Sequence, residues 1–183
     1  MTLSFLSPSR CVAGSTTSPL RRALDTVSDA LDRKERPFGA EVDISSLVRD
    51  LSLEGIVEVR GSLDSVVPAA GEELLRLSPR RGFLFTGDDP VEVATRIRAG
   101  GVLAYDATGA YAGVAIADER VLRRLTDLDL DQIPTAGPFA RVTALFRRGA
   151  DGWFHVHVPQ ELGHYVAEAV LDAIAGLEGS AWH

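Results

Sequence analysis

An α+β fold, with an antiparallel or mixed sheet and helices packed on one side of it, is what the sequence predicts, and three observations carry the expectation. Residues 139–147 and 153–158 alternate apolar and polar side chains around Gly149-Ala-Asp-Gly152, the patterning and turn chemistry of a β-hairpin. Leu162, Tyr165, Val166, Ala169, Val170, Ala173 and Ile174 then recur at helical spacing over residues 160–175, an apolar stripe fit to lie on a sheet. Upstream, Asp89-Pro90-Val91-Glu92 is a helix start in which Asp89 caps, Pro90 suits the first helical position and Glu92 can reach back.

The elements follow in order. Residues 1–19 are rich in Ser, Thr and Pro, which favours an extended, flexible N-terminal arm over a packed element. Leu20, Leu24, Val27 and Leu31 share one face of a helix over residues 20–31. Pro37 and Gly39 break it, Val42 and Ile44 alternate as a short strand, and residues 47–53 read as a helical turn before Gly55. Ile56, Val57 and Val59 form a strand, residues 72–77 a short helix, and Phe83, Leu84 and Phe85 a strand after the Ser78-Pro79 turn. Gly100-Gly101 ends the helix begun at Asp89; residues 102–105 and 114–116 are strands, and Asp118 opens a short helix bearing Val121, Leu122 and Leu125. The domain plan is therefore the arm, 1–19, and one α+β domain, 20–183. A chain of 183 residues with 45% hydrophobic content can supply one sizeable core.

Composition excludes several partners. A formal charge of -7 disfavours nucleic acid and acidic membrane surfaces, since affinity for phosphates is built from clustered cations. Nowhere does an uncharged apolar run approach the ~20 residues that span a bilayer. Pro8 and Arg10 interrupt the start before a secretory h-region can form. Cys11, the sole cysteine, excludes an internal disulfide, a Cys-based zinc site within the chain and a Cys-x-x-Cys redox pair; together these features predict a cytoplasmic protein.

No catalytic constellation emerges. His155 and His157 stand two apart on a strand, as a His-x-His metal pair would, but alternation directs them outward with Trp153, so they read as solvated positions where substitution of His157 is tolerated. Asp127, Asp129 and Asp131 share the spacing of a calcium loop, yet Gln132 and Pro138 stand where its glycine and bidentate Glu belong. Tyr105 and Asp106 have acid and base chemistry, but adjacent strand residues point to opposite faces. Gly109-Ala-Tyr-Ala-Gly113 is not a phosphate loop and reads as a site of close backbone packing. Cys11 has no His within sequence reach to make it a nucleophile. Neither metal nor flavin is expected to bind this chain alone.

The segment Tyr105-Asp-Ala-Thr-Gly-Ala-Tyr-Ala-Gly-Val-Ala-Ile116 resembles the Asp-Leu-Ser-x-Ala-aromatic-Ala strand entry of sarcosine oxidase gamma subunits. The order that follows is similar too: a short helix with the Leu-Asp-Leu step at Leu128-Asp-Leu130, then Ile133-Pro-Thr-Ala-Gly-Pro138 leading into the hairpin, and Tyr165 within Leu162-Gly-His-Tyr-Val166 at the start of the last helix. Leu77-Ser-Pro-Arg-Arg-Gly-Phe-Leu-Phe85 fits that family's loop and strand, and Ser18-Pro-Leu20 its beginning.

The resemblance implies a fold like the folate-binding domain of the related glycine-cleavage aminomethyltransferases. It also implies a non-catalytic small, gamma-like subunit of an amine-oxidising complex linked to one-carbon metabolism. Flavins would lie only in larger partner subunits, with tetrahydrofolate as one-carbon acceptor in the complex. Positions for folate or partner contact are Tyr105, Asp106, Tyr111, Asp129 and Tyr165. The chain lacks the paired aspartates that aminomethyltransferases carry on the hairpin's return strand, having Trp153-Phe-His-Val-His157 there, and lacks the Lys-Gly-Cys-Tyr motif of the iron–sulfur-assembly branch. A free-standing tetrahydrofolate-binding or aminomethyltransferase-like protein is the alternative. An interaction protein of another complex is the third reading, because fold does not fix function.

Overall fold

Backbone pairing sorts the strands of the computed structural model, which describes residues 46–179, into two antiparallel sheets. In chain order the strands are β1 (Val48–Asp50), β2 (Gly55–Arg60), β3 (Glu73–Ser78), β4 (Arg81–Thr86), β5 (Leu103–Asp106), β6 (Tyr111–Ile116), β7 (Thr135–Phe139), β8 (Val142–Arg148) and β9 (Phe154–Pro159). The helices are α1 (Pro90–Ala99), α2 (Glu119–Leu125) and α3 (Gly163–Gly179). One sheet runs β1-β6-β9-β8-β7 and the other β3-β4-β2-β5. The arm at 1–19 with Cys11, the helix at 20–31 and the strand at Val42 and Ile44 lie outside the described residues.

The single sheet with helices on one side is thus corrected to two sheets packed face to face, with helices on both outer faces. Of the two pairings expected, antiparallel or mixed, the described strands show the antiparallel one throughout. Alternation explains the layering, because successive side chains on a strand face opposite ways. On the five-stranded sheet, Ala112, Val114, Ile116, Phe146, Phe154, Val156 and Val158 face α2 and α3, meeting Val121, Leu122, Val166, Val170 and Ile174. On the four-stranded sheet, Val57, Val59, Leu84 and Ala104 face α1 through Val93, Ala94 and Ile97. Between the sheets, Ile56, Leu75, Phe83 and Phe85 meet Leu145, Ala136 and Tyr111.

Local chemistry sets the ends of the elements. Asp89 accepts a hydrogen bond from Val91 N (2.8 Å) with Pro90 at the head of α1, and Asp118 caps α2 through Arg120 N (2.8 Å). Three readings change. Residues 72–77 are all compatible with helix, but pairing of Leu74 with Leu84 and Leu75 with Phe83 makes them β3, tertiary pairing outweighing propensity. Within 47–53, Val48–Asp50 is a strand because it pairs with Val114–Ile116 at the edge of β6. Residues 139–147 are not one strand: Phe139 ends β7, and Ala140 and Arg141, with φ of 48° and 70°, make a two-residue turn into β8. Two adjacent positive φ values match the twist of a tight hairpin, although non-glycine residues seldom adopt them.

Candidate functional site

A polar cluster lies at one end of the layer between the sheets. The turn after β1, where Glu54 N donates to Leu51 O (2.9 Å), carries the Glu54 side chain beneath β8 and β9. Alternation on β9 sends Phe154, Val156 and Val158 to the helices and His155 and His157 to the other sheet; register places Leu145 opposite His157 and Arg147 opposite His155. The Arg147 guanidinium ion-pairs with Glu54 and, at 3.3 Å, with Glu73 at the start of β3. It also lies over the Phe85 ring, 5.1 Å from the centroid. His157 Nε2 is 2.8 Å from Glu54 Oε2 without hydrogen-bond alignment, and its ring leans on Phe85 at 4.9 Å between centroids.

The two histidines correct the sequence expectation outright. Instead of facing solvent, His157 is 0% exposed and His155 7%. The reason is the second sheet, which covers the face that alternation alone assigns to water. Gly113 of β6 makes room: a Cβ there would stand 2.7 Å from His157 Cδ2 and 2.9 Å from Leu51 O. That is the close packing expected of the glycine-bearing segment, found at Gly113 but not at Gly109, where an added Cβ would meet open space. At the mouth of the cluster, His155 Nε2 is 3.6 Å from Asp151, which ion-pairs with Arg49; Arg49 in turn stacks on Trp153 at 3.8 Å.

Burial governs the electrostatics. Burial, reinforced by Arg147 and His155, pushes His157 down to about 3, against the pull of the Glu54 carboxylate. His155 is lowered by burial and by Arg147, with Asp151 opposing. Both imidazoles are therefore neutral near pH 7. Burial raises Glu73 and lowers Arg147, which stays charged all the same. Both nitrogens of His155, Nδ1 of His157 and Nε of Arg147 make no hydrogen bond with described residues. Among the described residues no three His, Cys, Asp or Glu side chains converge to hold a metal ion. The arrangement ties the two sheets together through a guanidinium shared by two carboxylates, with the His157 ring fully buried and His155 only 7% exposed at the mouth.

The positions singled out from sequence are dispersed. Tyr111 is half-buried between the sheets, its ring edge-on to Phe83 at 5.3 Å, and burial raises its hydroxyl pKa. Tyr105 is on the same inter-sheet face of the four-stranded sheet as Glu58, its register partner, but is 50% exposed. Asp106 turns the other way and accepts from Thr108 N (2.9 Å). Asp129 caps a short 3-10 turn, Leu130–Gln132, accepting from Asp131 N (3.2 Å) and Gln132 Nε2 (3.2 Å). Tyr165 on α3 donates its hydroxyl to Ala140 O (2.8 Å), holding the β7–β8 turn. Asp129 and Tyr165 belong to the helix side of the five-stranded sheet, so only Tyr105 and Tyr111 share a layer. No sequence pattern marks Glu54, Glu73 or Arg147; the one signal is the His-x-His spacing, whose partners come from β3, β8 and the β1–β2 turn. A shallow cleft of about 170 Å³ between α1 and the 65–67 segment is smaller than the ~300–1,000 Å³ of usual ligand sites.

The fold and the cluster define a class: a helix–sheet–sheet–helix α+β protein with an enclosed polar tie between its sheets. No family model matches the chain, and no curated protein does. Among solved structures, it is similar to a chain of the heterotetrameric sarcosine oxidase from Corynebacterium sp. U-96, with a TM-score of 0.61 at 12% identity over 70% of this chain and 83% of that one. The regulatory subunit of aspartate kinase from Thermus thermophilus aligns at a TM-score of 0.40 and 13% identity, over 69% of this chain and 96% of that one, too loosely to carry an argument. The first likeness establishes a shared fold. No helix among the described residues is long and apolar enough to cross a membrane.

Proposed function

We propose that this chain is a non-catalytic, gamma-like small subunit of a cytoplasmic, heteromeric amine-oxidising complex of the sarcosine oxidase kind, with an aminomethyltransferase-like folate-binding-domain fold. The observation that carries the reading is the fold shared with a chain of heterotetrameric sarcosine oxidase over most of both chains. The burial of the polar cluster supports it: His157, whose pKa burial pushes down to about 3, is enclosed between the sheets, whereas a catalytic acid or base must come within hydrogen-bond reach of substrate. In this reading the larger partner subunits carry flavin and perform the oxidation, and tetrahydrofolate serves the complex.

Co-expression of the chain with large sarcosine oxidase-type flavoprotein subunits from the same genome tests it. A stable complex that oxidises a secondary amine, with no turnover by the small chain alone, is expected. A chain that stays alone beside those subunits overturns the reading, and one that also binds tetrahydrofolate saturably replaces it with the free-standing folate-binding alternative.

A further inference from the structure

We propose that the part of the four-stranded sheet projecting beyond the five-stranded one is a docking face for a partner protein that presents apolar side chains flanked by carboxylates. The proposal rests on the subunit reading above and names the surface through which it would act. Register defines the face. Tyr105 stands opposite Glu58 and Leu103 opposite Arg60 across β2 and β5, while Glu58 and Arg60 stand opposite Phe83 and Arg81 across β2 and β4. All six positions therefore look toward the five-stranded sheet.

Among the described residues the cover stops partway along these rows. Phe83 is 1% exposed beneath Tyr111, but Tyr105 is 50% and Leu103 57% exposed, although both belong to a face that is otherwise core. An apolar side chain on a sheet's packing face gains its stabilisation only when something covers it, and exposed apolar surface rimmed by polar groups marks interaction sites. Among the described strands β5 pairs only with β2, so its outer edge adjoins the same surface.

Charge selects the occupant. Arg60 and Arg81 both donate to Glu58 Oε1, at 2.9 and 2.8 Å, so two guanidinium groups share one carboxylate and the rim carries a net positive charge on a chain of formal charge -7. Two copies meeting face to face would bring like charge against like, whereas carboxylates on a different chain would pair with the rim. Such complementarity chiefly selects partner and register, while Leu103 and Tyr105 supply the area that is desolvated.

The test uses the full-length chain with the co-expressed large flavoprotein subunits, affinity being read by biolayer interferometry and folding by thermal transitions. Leu103→Asp and Arg60→Glu should each weaken the complex tenfold or more with the transition nearly unmoved, whereas Val91→Asp, on the exposed side of α1, should bind as wild type. A complex that forms with wild-type affinity in both overhang variants overturns this surface and leaves the subunit reading standing. Failure of the unmodified chain to bind the large subunits overturns both. Equal weakening by Val91→Asp overturns the assignment of the face, and wild-type self-association abolished by Leu103→Asp would make a second copy the occupant and overturn the heterologous partner.

Discussion

The two faces of β9 are both buried, but by different means. Toward α3 the strand offers Phe154, Val156 and Val158, each 2% exposed or less, and meets an apolar cluster, with the Arg148 guanidinium over the Phe154 ring at 3.8 Å the one charged neighbour among the described residues. Toward the four-stranded sheet it offers His155 and His157, and meets Arg147, Glu54 and Phe85. An apolar face is held by non-directional burial, about 25 cal/mol per Å² of surface removed from water, and tolerates exchange among hydrophobic side chains of similar volume. A polar face offers little net stabilisation but fails steeply when one member is removed, because the remaining charge stays buried without its partner. The helix side of the sheet therefore supplies most of the stability, and the inter-sheet side fixes how the sheets meet.

The sharpest way to break this comparison is to place a charge on the apolar face. Val156→Asp should unfold the protein, since an unpaired carboxylate there costs several kcal/mol against the ~5–15 kcal/mol that holds a domain, and loss of the far-ultraviolet circular dichroism signal at 25 °C would record it. On the polar face, Arg147→Ala strands Glu54 and Glu73 and should cost about 3–5 kcal/mol in urea unfolding. The double variant Arg147→Met with Glu54→Gln should cost less than Arg147→Ala alone, and a larger loss in the double variant would show that the charges contribute net stability.

Gly113 and His157 test whether fit or charge dominates. His157→Ala empties a core site and should cost roughly 2–4 kcal/mol, contrary to the tolerance expected from sequence. Gly113→Ala should cost about 1–3 kcal/mol, because its Cβ would collide with the imidazole and with Leu51 O. Combining the two relieves the imidazole clash, so the double variant should be more stable than the sum of the single losses predicts; strict additivity would deny the contact.

A graded effect is set by protons. His157 takes up no proton in the native state until pH falls to about 3, whereas an unfolded histidine protonates below 6.5. Its neutral burial is without penalty above pH 6.5, and stability declines as pH falls below that value, by at most about 1.4 kcal/mol per pH unit for each such histidine. His155, lowered in the same direction, adds to the slope. Urea midpoints between pH 6.5 and 5, above most carboxylate titration, should fall in the wild type and fall less steeply in His157→Asn. Parallel slopes would show that the ring is protonated in the folded protein.

By itself the sequence determined the helix starts at Asp89 and Asp118, the hairpin around Gly149 and Gly152, the stripe of the last helix and the apolar phase of β9, because capping, turn chemistry and periodicity act over a few residues. It also identified the glycine-bearing segment containing Gly113 as a place of close packing. Only the tertiary structure decided that β3 is a strand despite Glu73, Leu74, Leu75 and Arg76, and that Val48–Asp50 is one too, since each is stabilised by a partner distant in sequence. It alone decided that His155 and His157 are core. A polar residue alternating with apolar ones reads as solvated unless a second layer covers that face, and that cover, with Glu54 and Arg147 to meet the rings, comes from sheet packing that no local pattern encodes.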